Sequence, residues 1–243
     1  MNLSPRSHTQ SHEAVFRSQA QAKTFLANVF SWMFMALATT ALIAYAVSGN
    51  EAFMGMMYNP ETGGMSMFGW IIMLSPLGLV LWMSAGFARM AASKLSLIFI
   101  LYSVLMGLSL SFIFLAYTGA SIAKTFVIAS SMFGLMALLG YTTKTDLSRF
   151  GSLMFMGLIG LIIASLLNFF MRSSTLDYII SFVGVLVFTG LTAYDVQKLK
   201  RIGASNIEQG ESMKKATIMG ALTLYLDFIN LFLFLLRFFG NRR

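Results

Sequence analysis

The sequence predicts an all-α polytopic membrane protein, a bundle of seven transmembrane helices. Of the 243 residues, 57% are hydrophobic and only 11% are charged, whereas an ordinary soluble domain carries about 25% charged residues. The apolar residues are also collected into seven separate runs. Each run is near the length of about 20 residues that one helical crossing of the bilayer requires. Soluble classes of protein are therefore excluded.

The seven runs are predicted to be helices joined by short polar loops. Their approximate bounds are 25–48, 67–88, 95–117, 125–143, 150–170, 178–197 and 216–236. Residues 1–23 are polar and hold too little apolar surface to fold alone. We interpret them as a flexible cytoplasmic tail in front of a transmembrane domain over 24–243. His8 and His12 in this tail have no further ligand nearby and are assigned no role.

The basic residues predict how the protein is oriented in the membrane. The tail and the even-numbered loops hold twelve of the seventeen Lys and Arg residues: Arg6, Arg17, Lys23, Arg89, Lys94, Lys144, Arg149, Lys198, Lys200, Arg201, Lys214 and Lys215. The odd-numbered loops hold only Lys124 and Arg172. Because short cytoplasmic loops are enriched in Lys and Arg, the N-terminus is predicted to be cytoplasmic.

The last apolar run complicates this orientation. A full seventh crossing leaves Arg237, Arg242 and Arg243 on the outer side, against the same rule. A C-terminal segment that enters the membrane and returns would remove the conflict. Non-helical backbone at membrane depth, however, needs protein or water around it. We therefore expect a full crossing.

Several kinds of chemistry are excluded by composition. There is no Cys in the chain and no His beyond His12, which removes the ligands of zinc hydrolases and haem proteins. No glycine-rich phosphate loop of the Walker type is present. The net charge of +8 lies mostly in short loops between apolar runs, so it orients the protein in the lipid bilayer and does not indicate nucleic-acid binding. We expect neither catalysis nor a cofactor.

Two aspartates carry the functional prediction. Asp227 lies near the middle of the last apolar run, where an ionised carboxylate costs on the order of 3 kcal/mol, so it must face protein, water or a partner. Asp195 ends the preceding run. Two carboxyl groups held together cannot both stay ionised at low cost, and they titrate as one unit. The same oxygens can bind calcium weakly, with Asn230 one helical turn from Asp227 as a further ligand or pore-lining group.

The spacing of the two aspartates leaves an alternative open. Asp195 lies near a predicted helix end, whereas Asp227 lies about 17 Å along the next helix from Ala216 at 1.5 Å rise per residue. Contact between them needs helix tilt, or a seventh helix that begins outside the hydrocarbon. Otherwise Asp195 lies at the membrane interface beside Lys198 while Asp227 bonds a neighbouring helix.

Three segments resemble the Bax inhibitor-1 (transmembrane Bax inhibitor motif) family, and especially its bacterial branch. They are GLTAYDVQKLK at 190–200, ALTLYLDFINLFLFLLRFFG at 221–240 and GYTTKTDLSRFGSLMFMGLIGLIIASLLNFF at 140–170. The resemblance spans roughly residues 25 to 240. It implies a seven-helix fold with the C-terminal helix surrounded by the others. It also implies a bacterial inner-membrane location.

The same resemblance implies a function. It implies a pH-sensitive calcium leak controlled by a pair of aspartates, which match Asp195 and Asp227 here. In bacterial relatives a basic residue at the end of the second helix can pair with the deeper aspartate, and Arg89 is the nearest candidate. The acidic residue that some relatives carry in the second helix is missing from LSPLGLVLW.

Two further functions are compatible with parts of the sequence. The family resemblance also permits a regulatory protein that binds a membrane-protein partner, such as a quality-control protease. An intramembrane aspartyl protease would also place two aspartates on neighbouring helices. That class expects Gly-x-Gly-Asp at its second aspartate, whereas Leu224, Tyr225 and Leu226 precede Asp227 here.

Overall fold

The computed structural model describes residues 5–59, 64–205 and 210–241, with side chains described from residue 18 onward except at residue 59. Nearly all of this part of the chain is helical. The elements in chain order are α1 (Pro5–Ser48), α2 (Glu51–Met57), β1 (Tyr58–Asn59), β2 (Gly64–Met65), α3 (Met67–Gly86), α4 (Ala92–Leu110), α5 (Ile113–Ala116), α6 (Gly119–Thr142), α7 (Ser148–Met171), α8 (Ser174–Ala204) and α9 (Glu211–Phe239). The two short strands pair antiparallel as a hairpin between α2 and α3.

Within the described residues, seven helical stretches are long and apolar enough to cross a membrane. They are 18–48 of α1, α3, α4 continued through α5, α6, α7, α8 and α9. This confirms the predicted all-α polytopic fold with seven crossings. The helices extend beyond the predicted runs, most clearly in α8, which ends at Ala204, and in α9, which begins at Glu211. A helix adds one hydrogen bond per residue once it has formed, so it continues past the hydrocarbon into polar sequence.

The N-terminal segment shows the same extension. Helix α1 begins at Pro5, so most of the predicted tail over 1–23 has helical backbone continuous with the first crossing. Proline fits the first turn of a helix because its missing N–H would have no intrahelical partner there. Ala22 is already buried, against Gly203 at the end of α8. Residues 1–4 lie outside the described residues, and the flexibility of the tail stays a prediction.

The last helix is the centre of the bundle. Helix α9 packs against α1, α4, α6 and α8. About two thirds of its apolar stretch is buried inside the protein (67%), against 6% for α7, which packs chiefly against α8 on the periphery. The central position of the C-terminal helix is therefore confirmed. In the middle of α9, Asp227 is therefore surrounded by protein.

The two ends of the bundle are fixed by contacts between loops and helix termini. At the end that we call the basic end, Lys215 Nζ donates to the carbonyl of Ala88 at 3.3 Å and Lys200 Nζ donates to that of Tyr141 at 2.7 Å. At the opposite end the backbone N–H of Thr118 donates to the carbonyl of Asn241 at 3.3 Å. Helix α9 therefore runs the full length of the bundle, as a complete seventh crossing requires.

Arg237 lies at the opposite end of the bundle, where a basic residue conflicts with the charge rule. Its guanidinium pairs with the carboxylate of Asp177 on α8, with Nη1 and Oδ1 3.3 Å apart. The ion pair offsets the positive charge locally. A full seventh crossing is thus compatible with a basic residue at this position.

Candidate functional site

Helices α8 and α9 are antiparallel neighbours whose register is set by two glycines. Gly220 of α9 lies against the side chain of Leu199, and Gly184 of α8 lies against the ring of Phe234. A Cβ atom at either glycine would come within 2.7 Å of its neighbour. The two contacts are about four turns apart, and both give the same alignment of α8 with α9.

This register brings the two aspartates together. Asp227 lies at the level of Thr192, about 4.5 Å along the axis from Asp195 at 1.5 Å rise per residue. Because each Cα–Cβ bond leans toward the start of its own helix, and the helices run in opposite directions, the two side chains lean toward each other. Their carboxyl groups lie within hydrogen-bonding range. The apparent mismatch in depth disappears because α8 continues well past Asp195 and does not end near it.

Both carboxyl groups are buried. Asp195 is 9% exposed and Asp227 is 5% exposed. Among the described residues no donor reaches Oδ2 of Asp227. An ionised carboxylate has only acceptor oxygens, so two carboxylates in contact must share a proton or a cation.

The pair lines an open cavity of about 690 Å³ between α7, α8 and α9. Its polar lining besides the aspartates comes from Ser148, Ser152, Tyr194, Lys198, Thr223 and Asn230. The remaining wall is apolar. The cavity begins beside the first turn of α7, at the basic end, and continues along α9 past the pair.

Asn230 belongs to this cavity with the two aspartates. Its Nδ2 donates to the carbonyl of Leu226, one turn back on the same helix, at 2.8 Å. This bond fixes the amide group and leaves the side-chain oxygen as the ligand that it can offer. The structure thus brings Asp195, Asp227 and Asn230 to one cavity.

Arg89 is not brought to the pair. It lies in the turn between α3 and α4 at the basic end, where its side chain is exposed, and it does not line the cavity. The basic residue that interacts electrostatically with Asp195 is Lys198. Lys198 follows Asp195 by three residues on α8, and this i, i+3 spacing of opposite charges is the sequence signal that points to it.

The loop at residues 143–147, between α6 and α7, is held on the cavity's basic end by α8. Gln197 accepts from the N–H of Leu147 at 2.9 Å and donates to the carbonyl of Thr145 at 2.8 Å. Arg201 pairs with Asp146 at 2.7 Å. This guanidinium holds the pKa of Asp146 well below its usual range. These partners lie about fifty residues apart in the chain, and no local pattern in the sequence predicts them.

A second polar contact fixes the face of α9 that lies behind the pair. Thr40 of α1 donates to the carbonyl of Ser103 at 2.8 Å. Its hydroxyl oxygen is also 2.7 Å from that of Tyr225, and because the Thr40 proton is already used, Tyr225 donates in this bond. The hydroxyl of the neighbouring Tyr102 is buried without a partner among the described residues. Tyr225 precedes Asp227 by two residues, so this contact helps set the rotation of α9.

The residues that could bind a metal are few. Across the described residues, no group of three or more His, Cys, Asp or Glu side chains converges. A cation in this cavity would therefore be held by the aspartate pair and neutral oxygens. Calcium favours six to eight oxygen ligands, so such a site binds it weakly.

Comparison with known proteins agrees with the fold. A family model described as "Inhibitor of apoptosis-promoting Bax1" matches residues 22–243. The inner membrane protein YbhL of Escherichia coli K12 is 46% identical over 244 residues, covering 100% of both chains. An uncharacterized protein of Rickettsia prowazekii, RP147, is 48% identical over 223 residues, or 91% of each chain. An uncharacterized membrane protein of Streptococcus pyogenes serotype M6 is 34% identical over 233 residues, covering 95% of this chain and 98% of the relative. The chain therefore belongs to the Bax inhibitor-1 family of multi-pass integral membrane proteins.

Proposed function

We propose that the protein is a pH-sensitive cation leak that passes calcium through the cavity between α7, α8 and α9. The single observation that carries this proposal is the contact between Asp195 and Asp227 inside a membrane-spanning bundle. A buried carboxylate pair is costly in lipid and marks a functional site. The aspartates would act as one ion-binding and pH-sensing unit, with Asn230 as a neutral ligand beside them.

The direction of the pH response follows because a proton and a calcium ion compete for the same two carboxyl groups. Near neutral pH the pair carries negative charge and attracts a cation. Acidification adds the proton that the two carboxyl groups share, and this proton competes with calcium. Flux should therefore fall as the pH falls.

The membrane is proposed to be the bacterial inner membrane, with the N-terminus in the cytoplasm. Support comes from the name of the E. coli relative, an inner membrane protein, and from the collection of basic residues at one end of the bundle. The basic end would then face the cytoplasm.

The test is calcium entry into liposomes that contain the purified protein and a calcium-sensitive dye, measured from pH 5 to pH 8. The wild type should conduct at neutral pH and less at acidic pH. Asp227→Asn keeps the shape of the side chain and removes its charge, so it should lower the flux and flatten its pH response. Asp177→Asn is the matched control, because Asp177 is paired with Arg237 at the opposite end.

Equal flux and equal pH response in wild type and Asp227→Asn would overturn the proposal. Absence of calcium flux in the wild type would favour the alternative of a regulatory protein that binds a membrane partner. A role for Arg89 as the partner of the pair requires another arrangement of α3, and Arg89→Ala tests it. If that variant keeps the wild-type pH response, Arg89 is not part of the gate.

A further inference from the structure

The cavity at the aspartate pair is larger and more apolar than a bare metal ion needs. Its volume of about 690 Å³ falls within the roughly 300–1,000 Å³ typical of sites for small organic molecules. Most of the wall beyond the pair is formed by Phe155, Leu158 and Ile162 of α7, Phe188 and Leu191 of α8, and Leu226 of α9. Such a wall offers no ligand to calcium.

One carboxylate oxygen of the pair, by contrast, lacks a hydrogen-bond donor among the described residues. Asp227 is 5% exposed, and its Oδ2 has no donor in the part of the chain that the structure describes. The hydroxyl of Thr223 donates to the carbonyl of Met219 on its own helix at 3.0 Å, and so gives its proton elsewhere. A ligand that carries N–H groups would supply what the carboxyl oxygens lack.

An aromatic ring lies beside the pair and already accepts a cation. Lys198 Nζ is 5.9 Å from the centroid of the Tyr194 ring, within the distance at which an ammonium group is attracted to a ring face. Tyr194 also lines the cavity. An ammonium group bound at Asp195 would have the ring of the preceding residue available as well.

The route into the cavity favours an apolar molecule. At the basic end the cavity wall carries the positive charge of Lys198, whereas Arg201 outside it is paired with Asp146. Helix α7 packs chiefly against α8, so the gap between α7 and α9 faces the bilayer. A molecule with an apolar body enters lipid and can approach the pair from that side.

We propose that this cavity binds lipophilic amines, with the ammonium group on the aspartate pair and the apolar body between α7 and α9. A primary ammonium offers three N–H donors, enough for both carboxyl groups. Its apolar body would cover the wall formed by Leu158 and its neighbours. This inference uses the cavity of the proposed function and also predicts that such amines block calcium flux. Amine binding does not require that flux exist.

The test uses 4-(4-fluorophenyl)butylamine as the probe and full-length protein in phosphatidylcholine nanodiscs, with empty nanodiscs subtracted. Binding is read from broadening of the fluorine NMR line across a titration at pH 7.5. The wild type should give saturable broadening. The neutral analogue 4-(4-fluorophenyl)butan-1-ol should give at least tenfold weaker binding, because it lacks the charge.

Two pairs of variants separate the parts of the site. Asp227→Asn should weaken binding at least tenfold, whereas Asp177→Asn should leave it unchanged. Leu158→Trp fills the apolar part of the cavity and should also abolish binding. Leu153→Trp is its control, because Leu153 is on the same helix, is 54% exposed and does not line the cavity. Helical circular dichroism checks that each variant is folded.

Equal broadening in all four variants, or equal binding of the alcohol, would overturn the inference. The inference would also be overturned if Asp227→Asn lost binding and Leu158→Trp kept it, since the apolar body would then lie elsewhere. Nanodiscs that contain phosphatidylethanolamine distinguish two sources of the amine. If this lipid competes with the probe, the natural ligand is a lipid headgroup; if it does not compete, the ligand is a free amine. Binding without calcium flux would refute the proposed leak alone, and flux without binding would refute this inference alone.

Discussion

Gly140 of α6 lies directly against the backbone carbonyl of Ala193 on α8, leaving no space for a Cβ atom. This contact brings α6 and α8 together two residues before Asp195. The atoms that a side chain would meet belong to the backbone and cannot turn away. The closeness of the two helices therefore depends on glycine at position 140, as in membrane bundles where small residues allow close approach.

Gly140→Ala should destabilise the protein by about 1–3 kcal/mol, the usual range for overpacking. Gly134→Ala is the matched control on the same helix, because nothing lies within 4 Å of its Cβ position. That variant should be neutral or slightly stabilising, since Ala favours helix over Gly. Unfolding in mixed detergent, followed by circular dichroism, measures both. Equal stability of the two variants would show that α6 can move away from α8.

The fold was largely predictable because lipid imposes a strong pattern. Seven apolar runs of crossing length predict seven helices, and all seven are present among the described residues. The helix ends were less predictable because they lie in polar sequence. Helix α9 begins at Glu211, whose carboxylate accepts from the N–H of Ala92 at the start of α4. A contact across 119 residues leaves no local sequence signal.

The candidate site was predictable in part. Asp227 is identifiable because an ionised carboxylate in a membrane-spanning run is costly unless it has a functional role. Asp195 is identifiable as the carboxylate at the end of the preceding run. The contact itself depends on the register set by the glycines of α8 and α9, which the sequence alone does not specify. The expected basic partner was Arg89, whereas Lys198 lies beside Asp195. Pairing of Arg89 with Asp227 stays a prediction.

The side chain of Gln197 is predicted to hold the loop at residues 143–147 closed. Gln197→Ala leaves the N–H of Leu147 and the carbonyl of Thr145 without their partner. Thr145 is exposed and Leu147 is half-buried, so water can replace part of what is lost, and each missing hydrogen bond should cost about 0.5–1.5 kcal/mol. The loop should therefore open more often. Hydrogen exchange at the Leu147 amide should become faster by about tenfold or more. Unchanged exchange would mean that the loop is held by other contacts.

Asp146 should not contribute to any pH response near neutrality. Arg201 lowers its pKa, and a group with a lowered folded-state pKa adds stability above its unfolded pKa of about 3.9. That contribution is lost only as the pH falls through the lower folded value. Asp146→Asn should therefore leave the flux profile between pH 5 and pH 8 unchanged. A shifted profile would assign the pH response to the loop and not to the buried pair.

The topology predicts opposite accessibility for the two ends of α8. The natural chain has no Cys, so Ser205→Cys and Ser174→Cys each provide a single reporter. If the basic end is cytoplasmic, a membrane-impermeant maleimide should label position 174 in intact spheroplasts. Position 205 should react only after the membrane is opened. The reverse pattern would place the N-terminus outside and refute the orientation.

The two aspartates should behave as one unit when both are replaced. Asp195→Asn and Asp227→Asn should each reduce flux and flatten its pH response, because each leaves one carboxyl group without the other. The double variant should add little, since interacting sites are not additive. Flux measured for all four proteins under one calcium gradient gives the coupling. Effects that simply sum would show two independent carboxylates and return Asp195 to a role at the membrane interface.

Two buried tyrosines should respond in opposite ways to loss of the hydroxyl group. Tyr225 donates to Thr40, so Tyr225→Phe removes a buried hydrogen bond and should cost about 0.5–1.5 kcal/mol. Tyr102 packs edge-on against Tyr225, with ring centroids 5.3 Å apart, yet its hydroxyl has no partner among the described residues. Tyr102→Phe removes an unsatisfied polar group and should be neutral or stabilising. The shapes of the two substitutions are the same, so the difference in unfolding free energy isolates the hydrogen bond to Thr40. If Tyr102→Phe is the more destabilising of the two, the Tyr102 hydroxyl makes a stabilising hydrogen bond. The bond between Tyr225 and Thr40 would then not be the main contact that holds α9 in place behind Asp227.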